Sequence, residues 1–157
     1  MLEGFRQSRT HRRLVVVGSA NYASAFHATL REIADSDARI AMVGHVHDQA
    51  VLKELWCNSR AYLHGHSVGG TNPALLRAMG YGCCVLALDT VFNREVLGDT
   101  GRFFSDSASF TALVHEVDAS TYETAALGER ARARIVERYT WEKIADQYEE
   151  LFERVTR

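Results

Sequence analysis

The sequence predicts an α/β fold in which helices flank a parallel sheet. Three observations carry this. Short apolar runs of four or five residues alternate with longer stretches of helical periodicity. Several of those runs are β-branched and stop at a glycine, as strands buried in a parallel sheet do. The chain has 157 residues, 46% of them hydrophobic and 24% charged, which suits one domain, 1–157, with its own core.

The elements follow in order. Leu14 to Val17 reads as a buried strand ended by Gly18. Tyr22, Phe26, Leu30 and Ile33 form one apolar stripe on a helix from about Tyr22 to Ala34. Arg39 to Val43 is a second strand, stopped by Gly44. Asp48 can cap the next helix, which carries Val51, Leu52, Leu55 and Trp56. Ala61 to Leu63 is a third strand, Asn72 to Tyr81 a helix, Val85 to Leu88 a fourth strand and Arg102 to Phe104 a short fifth. The chain then turns helical. Asp106 or Ser107 caps a helix through Phe110, Leu113, Val114 and Val117. A second runs from about Tyr122 to Arg138 with Leu127, Ala131 and Ile135 in line. A last one follows Thr140, its stripe from Trp141 to Val155 reading as ordinary core.

Strands separated by helices imply βαβ units, hence a Rossmann-like domain with C-terminal helices. Such a sheet places its ligand at the carboxyl ends of its strands. Those ends carry Gly18-Ser19, Gly44-His45-Val46-His47, His64-Gly65-His66-Ser67 and Asp89-Thr90.

Composition excludes several classes. Lys plus Arg is 18 and Asp plus Glu is 20, a net charge of −2, which argues against a dedicated nucleic-acid or anionic-membrane binder. No apolar run is long enough to span a bilayer, and no signal-peptide stretch follows the first arginines. The three cysteines, Cys57, Cys83 and Cys84, are odd in number and two are adjacent. They read as buried free thiols in a reducing cytoplasm. His45-x-His47 and His64-x-His66 each present two imidazoles on one side of an extended chain, a spacing that suits a metal. No carboxylate or cysteine lies nearby to complete a set, so no metal site is expected.

The stretch from His64 to Pro73 is the most informative. Gly69-Gly70 allows positive φ and close backbone approach. Thr71 or Asn72 is a good N-cap, and Pro73, the only proline, stands where a first helical position is expected. A helix start of this kind faces the strand ends and attracts phosphate through oriented amides and the helix dipole. An ordinary glycine turn before a well-capped helix is the plainer reading of the same residues.

These segments together resemble the group-1 retaining glycosyltransferases. Leu14 to Ala20 is similar to their "LVIVGSG" strand, and Ala41 to Val46 to their "FLGRV" segment. Tyr62 to Met79 resembles their loop and "LLEAM" helix, most closely the "HGHSVGGTNPSLLEAM" form of the rhamnosyltransferase-like branch. Asn93 to Asp99 and Tyr139 to Glu142 match the downstream order. The resemblance implies the donor-binding half of a GT-B fold: a nucleotide-diphosphate sugar as donor, a saccharide such as a growing polysaccharide as acceptor, hexosyl transfer as the reaction, and no protein-bound cofactor.

It implies donor contacts from Gly18, Ser19, His45, Val46, His64, His66, Ser67, Gly69, Gly70, Thr71, Asn72 and Arg77. The base would lie near Gly18 and His45 and the sugar near His66 to Gly70. No general base is named. The segment Leu2 to Arg6 looks like the end of the family's first helix. The strand before it and the acceptor half are therefore expected to be missing from this chain, which alone would be inactive in transfer. The last helix of GT-B enzymes crosses to the other half, so an uncovered strip that favours self-association is expected here.

Two positions depart from the family pattern. Its two glutamates, eight positions apart, are here Gly69 and Arg77. A guanidinium has only donors, so Arg77 either reaches a phosphate or is an exposed arginine that no longer holds ribose. Arg94 and Glu95 follow the fourth strand; in the resembling family this glutamate lies near the domain cleft or makes structural contacts to the loop, and of those two roles Glu95 reads as the structural one. Arg130, Arg132, Arg134 and Arg138, interleaved with Glu129 and Glu137, read as a solvated, ion-paired face. The rival functions are a non-catalytic nucleotide- or protein-binding domain and a sugar-nucleotide epimerase.

Overall fold

The computed structural model describes residues 1–18 and 25–156. Its elements are α1 (Leu2–Gln7), β1 (Leu14–Val17), α2 (Ala25–Asp35), β2 (Ile40–Gly44), α3 (Gln49–Asn58), β3 (Tyr62–His64), α4 (Pro73–Gly80), β4 (Val85–Leu88), α5 (Val91–Leu97), β5 (Gly101–Phe104), α6 (Ser107–Ala119), α7 (Thr121–Arg138) and α8 (Trp141–Val155). The expected α/β class holds, and every ladder is parallel. The proposed start of the second helix at Tyr22 lies outside the described residues. The short helix α5, starting right after β4, is absent from the sequence reading; Thr90 caps it and Gly98 ends it at φ +56°.

The sheet differs from expectation. There are two parallel sheets, β1-β2 and β3-β4-β5, with no ladder joining β1 to β3. The amides of Leu14 and Gly18 turn toward β2, bonding the carbonyls of Arg39 and Gly44 at 2.8 Å. By alternation, the peptide groups of Val15 and Val17 point to the other edge. On β3 the Tyr62 amide bonds the Cys84 carbonyl of the neighbouring chain segment at 2.8 Å, so Ala61 and Leu63 turn outward in the same way. The Val15 and Val17 amides should therefore exchange with solvent at least ~100-fold faster than those of Leu86 and Ala87 in a native-state hydrogen-exchange series. Equal protection would show that the edge is covered.

A shared core, in place of a ladder, ties the two sheets together. Phe5 of α1, Ile40 of β2, Leu86 of β4, Phe104 of β5 and Phe110 of α6 belong to one buried cluster, on which Leu14, Val16 and Leu63 also pack. Phe104 meets Phe110 edge to face at 5.0 Å. On the opposite side of the second sheet, Leu75 and Met79 of α4, Val85 and Ala87 of β4 and Ala131 of α7 make a second cluster. This layering explains which strands are buried on both faces. β4 is, being covered by both clusters. β1 is not: Val15 and Val17 are 40% and 42% exposed, against the expectation of a buried strand.

Arginines close the loops around this core. Arg39 donates to the carbonyls of Phe5, Arg6, Ser8 and Thr10 at 2.7–3.4 Å and pairs with Asp37 at 2.6 Å, so one side chain holds the exit of α1. Arg134 corrects the reading of its helix face as solvated: its guanidinium caps the carbonyls of Val96 and Glu95 at 2.7 and 2.9 Å. Among the described residues, none of Arg130, Arg132, Arg134 and Arg138 forms an ion pair.

Three further expectations are corrected. Phe26 is 72% exposed rather than part of a buried stripe. Cys57 is exposed, while Cys83 and Cys84 are buried. α8 is not core: it buries none of its residues, and Trp141, Tyr148, Leu151, Phe152 and Val155 stand exposed along it. No helix among the described residues is long and apolar enough to cross a membrane.

Candidate functional site

The carboxyl ends of the strands supply two groups of candidate residues. The first lies beyond β1 and β2. Gly18 and Gly44 both take positive φ, +128° and +70°, and the Gly18 amide bonds the Gly44 carbonyl. That pairing sets the mouth where the chain leaves the two strands. His45 and His47 are exposed with their rings 4.2 Å apart, and Val46 is half-buried between them in sequence. Ser19, the other residue implied here, lies outside the described residues.

The second group follows β3. Gly65 to Thr71 is exposed throughout and leads into α4. Asn72, the cap left open between two residues in the sequence, is the N-cap: its Oδ1 accepts from the amides of Ala74 at 2.9 Å and Leu75 at 3.3 Å. Pro73 takes the first helical position and has no N–H. The Leu76 amide bonds the Asn72 carbonyl at 3.1 Å. The first turn of α4 therefore has no spare donor. What remains free, among the described residues, are the amides of Gly69, Gly70, Thr71 and Asn72, with the helix dipole behind them. The unpaired donors at this end of α4 thus belong to the loop rather than to the helix turn. Its mouth is open, since a Cβ built on Gly69 or Gly70 meets no atom within 4 Å, and Gly69 lies at φ +109°.

Below the loop sits His64, 1% exposed, at the end of β3. Its Nδ1 lies 3.4 Å from the Tyr62 hydroxyl, its ring stacks on His66 at 4.7 Å, and its Nε2 is buried with no hydrogen-bond partner. Burial, with the neighbouring His66 second, pushes the His64 pKa down to about 4, so the ring is neutral at pH 7. Burial likewise raises the Tyr62 hydroxyl to about 12. His64 is thus a neutral floor to the loop, while His66 and Ser67 are exposed on it.

Arg77 is exposed on α4, with Nη1 donating to Gln49 Oε1 of α3 at 3.3 Å. That contact ties α4 to the helix following His45 to Asp48. Arg94, in the last turn of α5, is held by Asp89 through two hydrogen bonds of 2.5 and 2.7 Å and lies over Phe103, while Glu95 beside it is exposed. Among the described residues, no three His, Cys, Asp or Glu side chains come together around a point.

One residue escaped the sequence reading. Asn93 of α5, 4% exposed, donates through Nδ2 to the carbonyls of His66 at 3.1 Å and Leu88 at 2.8 Å. Recognising Thr90 as an N-cap would have placed it in the first turn of a helix beginning at a strand end.

Comparison with known proteins bears on family and fold. A family described as "Glycosyl transferase-like" matches residues 1–150. No curated protein sequence matches the chain. Among solved structures, Anabaena HepE in complex with UDP is similar at TM-score 0.78 and 18% identity, over 97% of this chain and 43% of that one. The same protein with UDP-glucose gives 0.79 at the same identity and coverage. Sucrose-phosphate synthase from Thermosynechococcus elongatus gives 0.78 at 18% identity, over 99% of this chain and 41% of that one. At such identity the likeness is one of fold, and the chain spans less than half the length of these structures.

Proposed function

We propose, from the premise that the chain belongs to the glycosyl transferase-like family, that it is the donor-binding half of a GT-B glycosyltransferase. It would grip the diphosphate of a nucleotide sugar with the amides of Gly69 to Asn72. The observation carrying this is the open, donor-rich loop at the carboxyl end of β3, ahead of α4. That HepE, similar in fold, holds UDP and UDP-glucose supports it. The loop's work in transfer is electrostatic: fixed amide dipoles stabilise the charge that develops on the leaving diphosphate. The base lies by Gly18 and His45 and the sugar by His66 to Gly70. The transferred group is a hexosyl unit and the acceptor a saccharide.

The open edges of β1 and β3 support a missing strand in this half. One parallel strand laid between them would bond Val15 and Val17 on one side and Leu63 on the other, closing the two sheets into one. The uncovered aromatic face of α8 is the surface left for the acceptor half or, without it, for a second copy. Lacking both acceptor half and strand, the chain alone would bind donor without transferring sugar.

Calorimetric titration with UDP, GDP, TDP and UDP-glucose tests the reading. One of them should bind, and Gly70→Trp, which fills the loop mouth, should weaken that binding by at least ~30-fold, about 2 kcal/mol. Absence of heat with every nucleotide would instead favour a non-catalytic, protein-binding domain. Two features stand on that side: the missing strand, and Arg77, a cation held by Gln49 where the resembling family has a ribose-binding carboxylate.

A further inference from the structure

We propose that Asn93 is a positioning residue that sets the shape of the 65–72 loop; this rests on the donor-site reading above. The loop is exposed from Gly65 to Thr71 and holds three glycines. Among the described residues, a single hydrogen bond reaches residues 65–71, from Asn93 Nδ2 to the His66 carbonyl. The same NH2 group binds the Leu88 carbonyl at the end of β4. Two hydrogens on one nitrogen thus join two carbonyls from different strand ends, which only a primary amide or a cation of similar reach can do. Asn93 is itself held fast: its backbone amide bonds Thr90 Oγ1 at 3.1 Å, and its side chain is buried in the first turn of α5.

The consequence for binding is entropic and geometric. A glycine-rich loop must settle into one conformation before its amides converge on an anion, and that ordering weakens affinity. Pinning His66 turns its carbonyl toward α5. It shortens the free segment to the residues between His66 and the Asn72 cap, and these carry the free amides. Asn93 therefore acts through the backbone of the loop, without needing to touch the ligand.

Asn93→Asp tests this, because it keeps the shape and removes both donors. Thr100→Val is the matched control: it deletes a buried hydrogen bond, Thr100 Oγ1 to the Leu97 carbonyl at 2.7 Å, at the far end of the same helix. In Asn93→Asp, whichever of UDP, GDP and TDP binds the parent chain should bind about tenfold more weakly, and the backbone NMR order parameters of residues 67–71 should fall toward those of a flexible loop, while Thr100→Val leaves the affinity within about twofold and the order parameters unchanged. Should Asn93→Asp fail to fold, Asn93→Ala takes its place in the same comparison. An unchanged dissociation constant, or an equal change in Thr100→Val, overturns the assignment. If the parent chain binds none of UDP, GDP and TDP, the donor-site reading falls, and the order parameters of the loop alone then decide: lower in the Asn93 variant upholds the positioning role, unchanged values end it.

Discussion

Gly128→Ala should lower the melting temperature by roughly 10 °C, corresponding to about 3 kcal/mol or more of lost stability. Helix propensity argues for the opposite result, since alanine inside a helix is worth about 1 kcal/mol over glycine. Packing overrules it. α7 approaches the turn between α4 and β4 so closely that a methyl group on residue 128 would overlap the Gly82 carbonyl. The turn cannot move aside easily: Gly82 is already at φ +75°, and Cys83 and Cys84 enter the buried strand directly after it. α7 cannot move aside either, because Leu127 belongs to one core cluster and Ala131 to the other. Thermal unfolding followed by circular dichroism checks this. A melting point unchanged or raised would mean that the helix and turn are not in contact.

Acid should destabilise the chain through His64 in a defined window. Burial holds its folded pKa at about 4, below the ordinary value of 6.5. The unfolded chain therefore takes up a proton as pH falls below 6.5, while the folded chain resists until about 4. Stability contributed by the neutral ring is complete above that window and is lost as pH drops through it, by about 3 kcal/mol at the lower end. Urea unfolding at pH 7, 6, 5 and 4 should show this fall, and His64→Gln should flatten it relative to the parent chain. Parallel curves for the two proteins would refute the burial argument. Asp37 responds in a lower window. Its hydrogen bonds from Arg39 hold its pKa at about 2, so its contribution is present above the usual carboxylate range and disappears as pH falls from there toward 2.

Much of the architecture could be read from local chemistry. Asp48, Asn72, Asp106, Ser120 and Thr140 cap helices, and all five of these helices start where the sequence placed them, within a residue. Pro73 and Gly69-Gly70 marked the loop. The missed element, α5, shows the limit. Seven residues carry too little periodicity to announce a helix beside a strongly apolar strand, although Thr90 and Gly98 bracket it. Helix α8 shows another. Its amphipathic stripe is a property of the sequence, but whether anything covers the stripe depends on a surface elsewhere, and among the described residues Trp141, Tyr148, Leu151, Phe152 and Val155 stay exposed.

The candidate site divides along the same line. The glycine loop and its capped helix were legible because glycine, proline and asparagine act through their own backbone and nearest neighbours. Which amides stay free was not, because Asn72 uses up the helix turn and leaves the loop amides open. The roles of Asn93, Arg39 and Arg134 were equally hidden, for each grips carbonyls that are remote in sequence.

Apart from α5, the order of strands and helices, their caps and the position of the glycine loop depend on contacts within a few residues and can be read along the chain. That the sheet parts between β1 and β3, that His64 is neutral and that Gly128 lies against Gly82 emerges only on folding. Each of these is set by burial and by hydrogen bonds between segments that meet only when the chain is folded.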